Sequence, residues 1–297
     1  MLKSPSLIFA LLILVVLAIF VFPFYNPDSD ENRQNGKLTI SVTIYPSYDI
    51  VKNIAGDRVN LFQIIPFGQE PHSFEPTPKD IIRISNSQLF IYTGLHIDEW
   101  ARDLGDIAKK GDKFIKLSEV SKIVDNDPHF WLDINNLKKM AAKIAENIIR
   151  LDPKNSSFYQ TNLDKYLKSL EKLDLDFKNG LKNCKLDSII VNHNAFQYLG
   201  RSYGFKSFSV MGLSPDDKPS AKSLANIVDV VNEQNVSTIF FEELASSNVI
   251  DTIANETGVK TSSLSPIGNV SPIKVDVGYV NMMYENLEKL EEALICQ

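Results

Sequence analysis

Of 297 residues only two are cysteines and four are histidines. Two cysteines cannot build a disulfide-rich scaffold or a multi-thiolate metal centre. No block of lysine and arginine stands out, and 37 acidic against 31 basic side chains leave a formal net charge of −6. Nothing here points to a nucleic-acid partner. The G-x-S-x-G elbow of serine hydrolases and the H-E-x-x-H helix of zinc proteases are both missing. With 44% hydrophobic and 23% charged residues, the chain does not have the composition of a disordered protein.

There is one long hydrophobic run. Leu7 to Phe22 reads LIFALLILVVLAIFVF without interruption. A cleavable signal core is about 7–15 residues and ends at a small-x-small site; this run is longer and no A-x-A follows it. No cysteine lies near its end, which excludes a lipid-modified one. Lys3 precedes the run, and Asp28, Asp30 and Glu31 follow it. That asymmetry places the N-terminus in the cytoplasm and the remainder outside. Residues 1–25 are therefore expected to be an uncleaved membrane anchor, with a cleaved signal as the alternative that would leave the protein secreted or periplasmic. Residues 26–37 are polar and read as a linker.

From Leu38 onward, short apolar runs alternate with helical patterns. Strands are expected at Leu38–Ile44, Val59–Ile65, Leu89–Thr93 and Phe114–Leu117, with helices at Tyr48–Ala55, Pro78–Ser85 and Asp98–Lys109 between them. The middle, residues 135–182, has no strand signal. Leu137–Leu151 is amphipathic, Asp152-Pro153 interrupts it, and Asn155–Leu181 carries apolar residues at three- and four-residue steps. That second helix would span on the order of 40 Å. Alternation then resumes, with strands at Ser188–Val191, Ser207–Met211, Thr238–Phe241 and Lys260–Leu264. The expected fold is α/β: two lobes, each a mostly parallel sheet flanked by helices, joined by one long rigid helix. The lobes are expected at 38–134 and 183–297, with a cleft between them.

Three histidines sit in distinctive settings. His72 lies in a turn-rich loop after the second strand, His129 in Asp127-Pro128-His129-Phe130-Trp131-Leu132-Asp133, and His193 at the exit of the fifth strand. Strand exits of open parallel sheets are where ligands bind. Three imidazoles and one further donor make a tetrahedral metal site. The fourth histidine, His96, is expected at the surface or rim, and Phe130 and Trp131 are expected to pack around the site.

At these residues the chain resembles the metal-binding subunits of ABC importers, the cluster A-I solute-binding proteins for zinc and manganese. Ile65-Pro66 through Pro78 is similar to that family's PGxDPHxxEPxP signature. The Asp127–Asp133 segment and His193-Asn194-Ala195-Phe196 resemble its second and third histidine motifs, and Phe240-Phe241-Glu242-Glu243 its second-lobe pattern. The resemblance runs from about Leu38 to Leu294. It implies that His72, His129 and His193 hold the metal between the lobes, and that an ABC permease and its ATPase are partners. Family members often take a fourth ligand from a carboxylate in a late loop, but this chain has Ser265 and Gly268 there. The fourth donor is left open between water and a carboxylate, Glu70, Glu242 or Asp276. Zinc is the expected cargo, since three imidazoles favour it over manganese. Residues 101–126 hold no histidine, so the metal-gathering loop of many zinc members is absent.

Glu75 and Asp133 are weighed equally as braces for the histidines and as helix caps or solvated groups. A disulfide between Cys184 and Cys296 suits an oxidising compartment but depends on a distance the sequence does not show. The expected function is extracytoplasmic capture of a divalent metal, not catalysis. The alternatives are a three-histidine zinc hydrolase or lyase and an adhesin-like surface protein.

Overall fold

The computed structural model describes residues 36–108, 113–217, 219–243 and 248–297. The expected anchor and most of the linker lie outside these. Leu38–Gln297 form one compact unit. Among the described residues no helix is long and apolar enough to cross a membrane.

Two four-stranded sheets are built on one plan. The first contains β1 (Leu38–Val42), β2 (Val59–Gln63), β3 (Leu89–Tyr92) and β4 (Phe114–Lys116), ordered β2-β1-β3-β4. The second contains β5 (Ser188–Val191), β6 (Lys206–Ser209), β7 (Thr238–Phe241) and β8 (Lys260–Ser263), ordered β6-β5-β7-β8. Every pairing is parallel, so each step between neighbouring strands needs a crossover, and helices supply it.

Local chemistry starts and stops these helices. α1 (Tyr45–Ala55) begins three residues earlier than expected, because Pro46 fits the first helical turn, where no backbone donor is needed. α2 (Pro78–Asn86) opens with a capping box in which Thr77 and Asp80 satisfy each other's backbone N–H. α3 (Trp100–Ala108) follows β3. α4 (Ile134–Leu151) is capped by Asp133, whose carboxylate accepts from the Asn135 N–H at 2.8 Å.

After Pro153 comes α5 (Ser156–Gly180), the long helix between the lobes. Its 25 residues span roughly 37 Å at 1.5 Å each. It buries Leu163, Tyr166, Leu170, Leu173 and Phe177 against α1, α4 and α9 (Tyr279–Leu294). The second lobe adds α6 (Gln197–Tyr203), α7 (Ala221–Glu233) and α8 (Asn248–Thr257). α6 ends at Gly204, whose φ of +84° suits glycine in a helix-terminating turn.

A single apolar cluster runs from Ile40 in the first sheet to Leu294 in α9. The second sheet divides its side chains by the two-residue period of a strand. Ile189, Val191 and Phe240 join the large cluster, while Ile190 and Ile239 face a smaller one with Ile227, Val231, Ile250 and Ile253. Cys184, after α5, and Cys296, after α9, form a disulfide across a sequence separation of 112. It sits in a short antiparallel contact in which Lys185 and Leu186 donate to the carbonyls of Ile295 and Leu294.

Candidate metal centre

The three histidines, 57 and 64 residues apart along the chain, meet in the groove. His72 comes from the loop between β2 and α2. His129 comes from the turn before α4, where the buried Phe130, Trp131 and Leu132 anchor a short 3₁₀ helix. His193 follows the exit of β5, where the Asn194 N–H donates to the Gly212 carbonyl at 2.7 Å. The Nε2 of His129 lies 3.2 Å from that of His72 and 3.1 Å from that of His193. One ring nitrogen from each of the three falls within 4.8 Å of the others. Ligand nitrogens on a tetrahedral zinc, each about 2.0–2.1 Å from the ion, would be roughly 3.3 Å apart.

Two of the rings are oriented from behind. The Asp127 carboxylate lies 2.8 Å from the Nδ1 of His129 and also accepts that residue's backbone N–H at 3.0 Å. Glu242, at the exit of β7, holds the Nδ1 of His193. A carboxylate beside Nδ1 accepts a hydrogen bond from the proton kept on that nitrogen and leaves Nε2 as a lone-pair donor. Lone pairs facing each other at about 3 Å repel unless a cation or a proton sits between them.

Electrostatics separates the rings. Burial, with neighbouring histidines, pushes the pKa of His72 down to about 2 and holds His129 well below its usual value. Burial acts on His193 the same way, but the charge and hydrogen bond of Glu242 outweigh it, and its pKa is raised. Burial lifts Glu70 to about 7 and Asp127 to about 6, each against a stabilising bond from a backbone N–H.

The three carboxylates expected as a fourth donor separate. Glu70 lines the groove with the histidines, and its Oε1 accepts the backbone N–H of His72 at 3.1 Å. Glu242 is engaged behind His193. Asp276 is not brought to the site: it is 89% exposed and pairs with Lys52 at 2.5 Å. Glu75 is exposed, and Asp133 is the cap of α4 rather than a brace. The brace on the first lobe is Asp127, two residues before the histidine it serves; the D-x-H spacing was its one signal. His96 is exposed, 3.5 Å from Glu99. Trp131 packs on His129, ring centroids 5.3 Å apart, and its Nε1 donates to the Pro266 carbonyl at 2.7 Å. At Gly268 a Cβ would come within 3.2 Å of the Trp131 ring, so the indole crowds this stretch of the groove.

Residues 40–293 match the family model described as ZnuA, zinc-uptake complex component A, periplasmic. The high-affinity zinc uptake system protein ZnuA of Bacillus subtilis (strain 168) is 35% identical over 286 residues, covering 89% of this chain and 90% of that protein. The zinc-binding lipoprotein AdcA of Streptococcus pneumoniae (strain ATCC BAA-255 / R6) is 32% identical; the match covers 89% of this chain but only 57% of AdcA. The crystal structure of the Zn(II)-bound ZnuA-like domain of Streptococcus pneumoniae AdcA superimposes with a TM-score of 0.78 at 32% identity, covering 87% of this chain and 99% of that one.

Proposed function

Since the chain belongs to the ZnuA family of periplasmic zinc-uptake components, we propose that it captures a divalent metal ion, zinc, outside the cytoplasm and delivers it to an ABC permease driven by a cytoplasmic ATPase. The observation that carries this reading is the convergence of the His72, His129 and His193 side chains in one groove, two of them presenting lone pairs fixed by carboxylates. Three neutral imidazoles suit zinc better than manganese, which prefers oxygen. Residues 38–134 and 183–297 act as the metal-binding lobes and 135–182 as their connection. The N-terminal run tethers the protein to the membrane.

Glu70 completes the coordination sphere, directly or through a water, because Glu242 is committed to His193 and Asp276 to Lys52. The metal is cargo and not a cofactor, in keeping with a family of uptake components. Calorimetric titration of the purified chain with zinc and with manganese tests the assignment. One zinc bound per chain, far more tightly than manganese, is expected. Absence of zinc binding, or a preference for manganese, would overturn it.

A further inference from the structure

The three histidines are not held alike. His129 and His193 are each braced at Nδ1, whereas no described residue hydrogen-bonds the Nδ1 of His72, which is also the least buried of the three. The placement of His72 therefore comes from the backbone of its own loop. That loop is pinned from the other lobe.

Asn269, in the loop after β8, is 6% exposed and uses both ends of its amide. Its Nδ2 donates to the carbonyls of Pro66 and Gln69, each at 2.7 Å. Its Oδ1 accepts from the Gln63 Nε2 at 3.0 Å and from the Val270 N–H at 2.9 Å. The Gln69 N–H itself donates to the Pro66 carbonyl at 3.1 Å, so Asn269 grips both ends of one four-residue turn. Inside that turn Gly68 has a φ of +86°, and its N–H reaches across to the Val270 carbonyl at 2.8 Å. His72 follows three residues after Gln69.

We propose that Asn269 is a positioning residue for His72: by clamping the Pro66–Gln69 turn it holds a first-lobe metal ligand in register with the second lobe. The proposal rests on the reading of His72 as a zinc ligand. The two amide protons on Nδ2 carry it, because among the described residues they are the donors that reach the Pro66 and Gln69 carbonyls from across the groove. Asn269→Asp keeps the shape and the acceptor but sets an oxygen against two carbonyl oxygens. Asn269→Ala removes the clamp altogether.

The test uses the full chain with either substitution, alone and combined with His72→Ala, and reads zinc affinity by competition titration and backbone amide exchange in the metal-free protein. Supporting residues around metal ligands typically contribute about 10- to 100-fold to affinity, and a loss in that range is expected for both variants. Faster exchange at the amides of Gly68, Gln69 and His72 should accompany it. In the His72→Ala background neither variant should weaken zinc further, since the effect passes through that ring. An equal loss in both backgrounds would overturn the proposal, as would unchanged affinity in folded Asn269→Asp. If the unsubstituted chain takes up no zinc, the metal reading fails on its own. Amide exchange then decides the clamp: unchanged protection of Gly68 and Gln69 in Asn269→Ala refutes it, and lost protection upholds it.

Discussion

The two lobes share a strand order and differ in how they are held and in the histidines they bring to the groove. In the first, Ile40, Val42, Leu89, Phe90 and Ile91 are all fully buried, and the sheet sits inside the main core. In the second, only one face joins that core; the other closes over a smaller cluster, and the strands β6 and β8 are largely polar and partly exposed. A covalent clip encloses this second lobe, joining Cys184 before β5 to Cys296 near the end of the chain. At the groove the first lobe contributes two histidines with depressed pKa values, and the second contributes one whose pKa is raised. One strand plan thus serves two tasks. The larger core carries the two rings whose affinity for a proton is lowered, while the stapled lobe carries the one whose affinity Glu242 raises.

The comparison breaks first at the clip. Replacing Cys184 and Cys296 by serine reopens a loop of sequence separation 112, for which the chain-entropy model gives a loss of about 4–5 kcal/mol of unfolding free energy. Denaturant unfolding should show it. A loss under about 1 kcal/mol would mean that packing of α9 alone holds the second lobe.

Ligand removal comes next. Structural zinc sites with four ligands bind with about 10–16 kcal/mol, or about 3 kcal/mol per ligand. His129→Ala and His193→Ala should each weaken zinc by on the order of a hundredfold or more, one from each lobe. A variant with undiminished affinity would remove its histidine from the site.

The braces allow a finer comparison. Asp127→Asn and Glu242→Gln each free the Nδ1 of one ring, and losses of about 10- to 100-fold are expected in titrations with zinc. Retention of full affinity by either would show that its ring is oriented by packing alone.

Proton competition should distinguish the lobes by sign. The pKa values of His72 and His129 are depressed, so these rings hold no proton near neutrality and acidification costs them little until far lower pH. His193 is raised, so in the metal-free protein it gains a proton as pH falls through that raised value, and zinc must then expel it. Apparent affinity should therefore fall on acidification, by up to about tenfold per pH unit for each proton displaced. Glu242→Gln removes the charge that raises His193 and should move the decline to lower pH. Titrations between about pH 5 and pH 8 would expose an affinity indifferent to pH, which would contradict this division of labour. The smallest effect is expected at Asp276→Ala, within about twofold, because its partner is an exposed lysine rather than the metal. A tenfold loss there would restore it as a ligand.

Much of the fold was legible because parallel α/β chains announce themselves locally. β-branched and aromatic runs, the capping box at Thr77, the Asp152-Pro153 break and the apolar steps from Tyr159 to Phe177 each act over a few residues. The histidines were legible for the same reason, since each stands in a short, compositionally odd segment. The partners were not. Asp127 lies two residues before His129 and Asp133 four after it, yet one braces the ring and the other caps α4. The backbone turn between them decides which carboxylate faces which group.

By itself the sequence determined the alternation of strands and helices, the long helix after Pro153 and the three imidazoles available to a metal, because periodicity, caps and residue chemistry are properties of neighbours along the chain. Only the tertiary structure decided that Glu242 reaches His193, that Asp276 turns instead to Lys52, that Cys184 meets Cys296, and that Asn269 grips the turn before His72. Each of these pairs bridges between 49 and 224 residues, and such a contact exists only once packing of the shared core has brought the two segments within hydrogen-bonding or bonding distance.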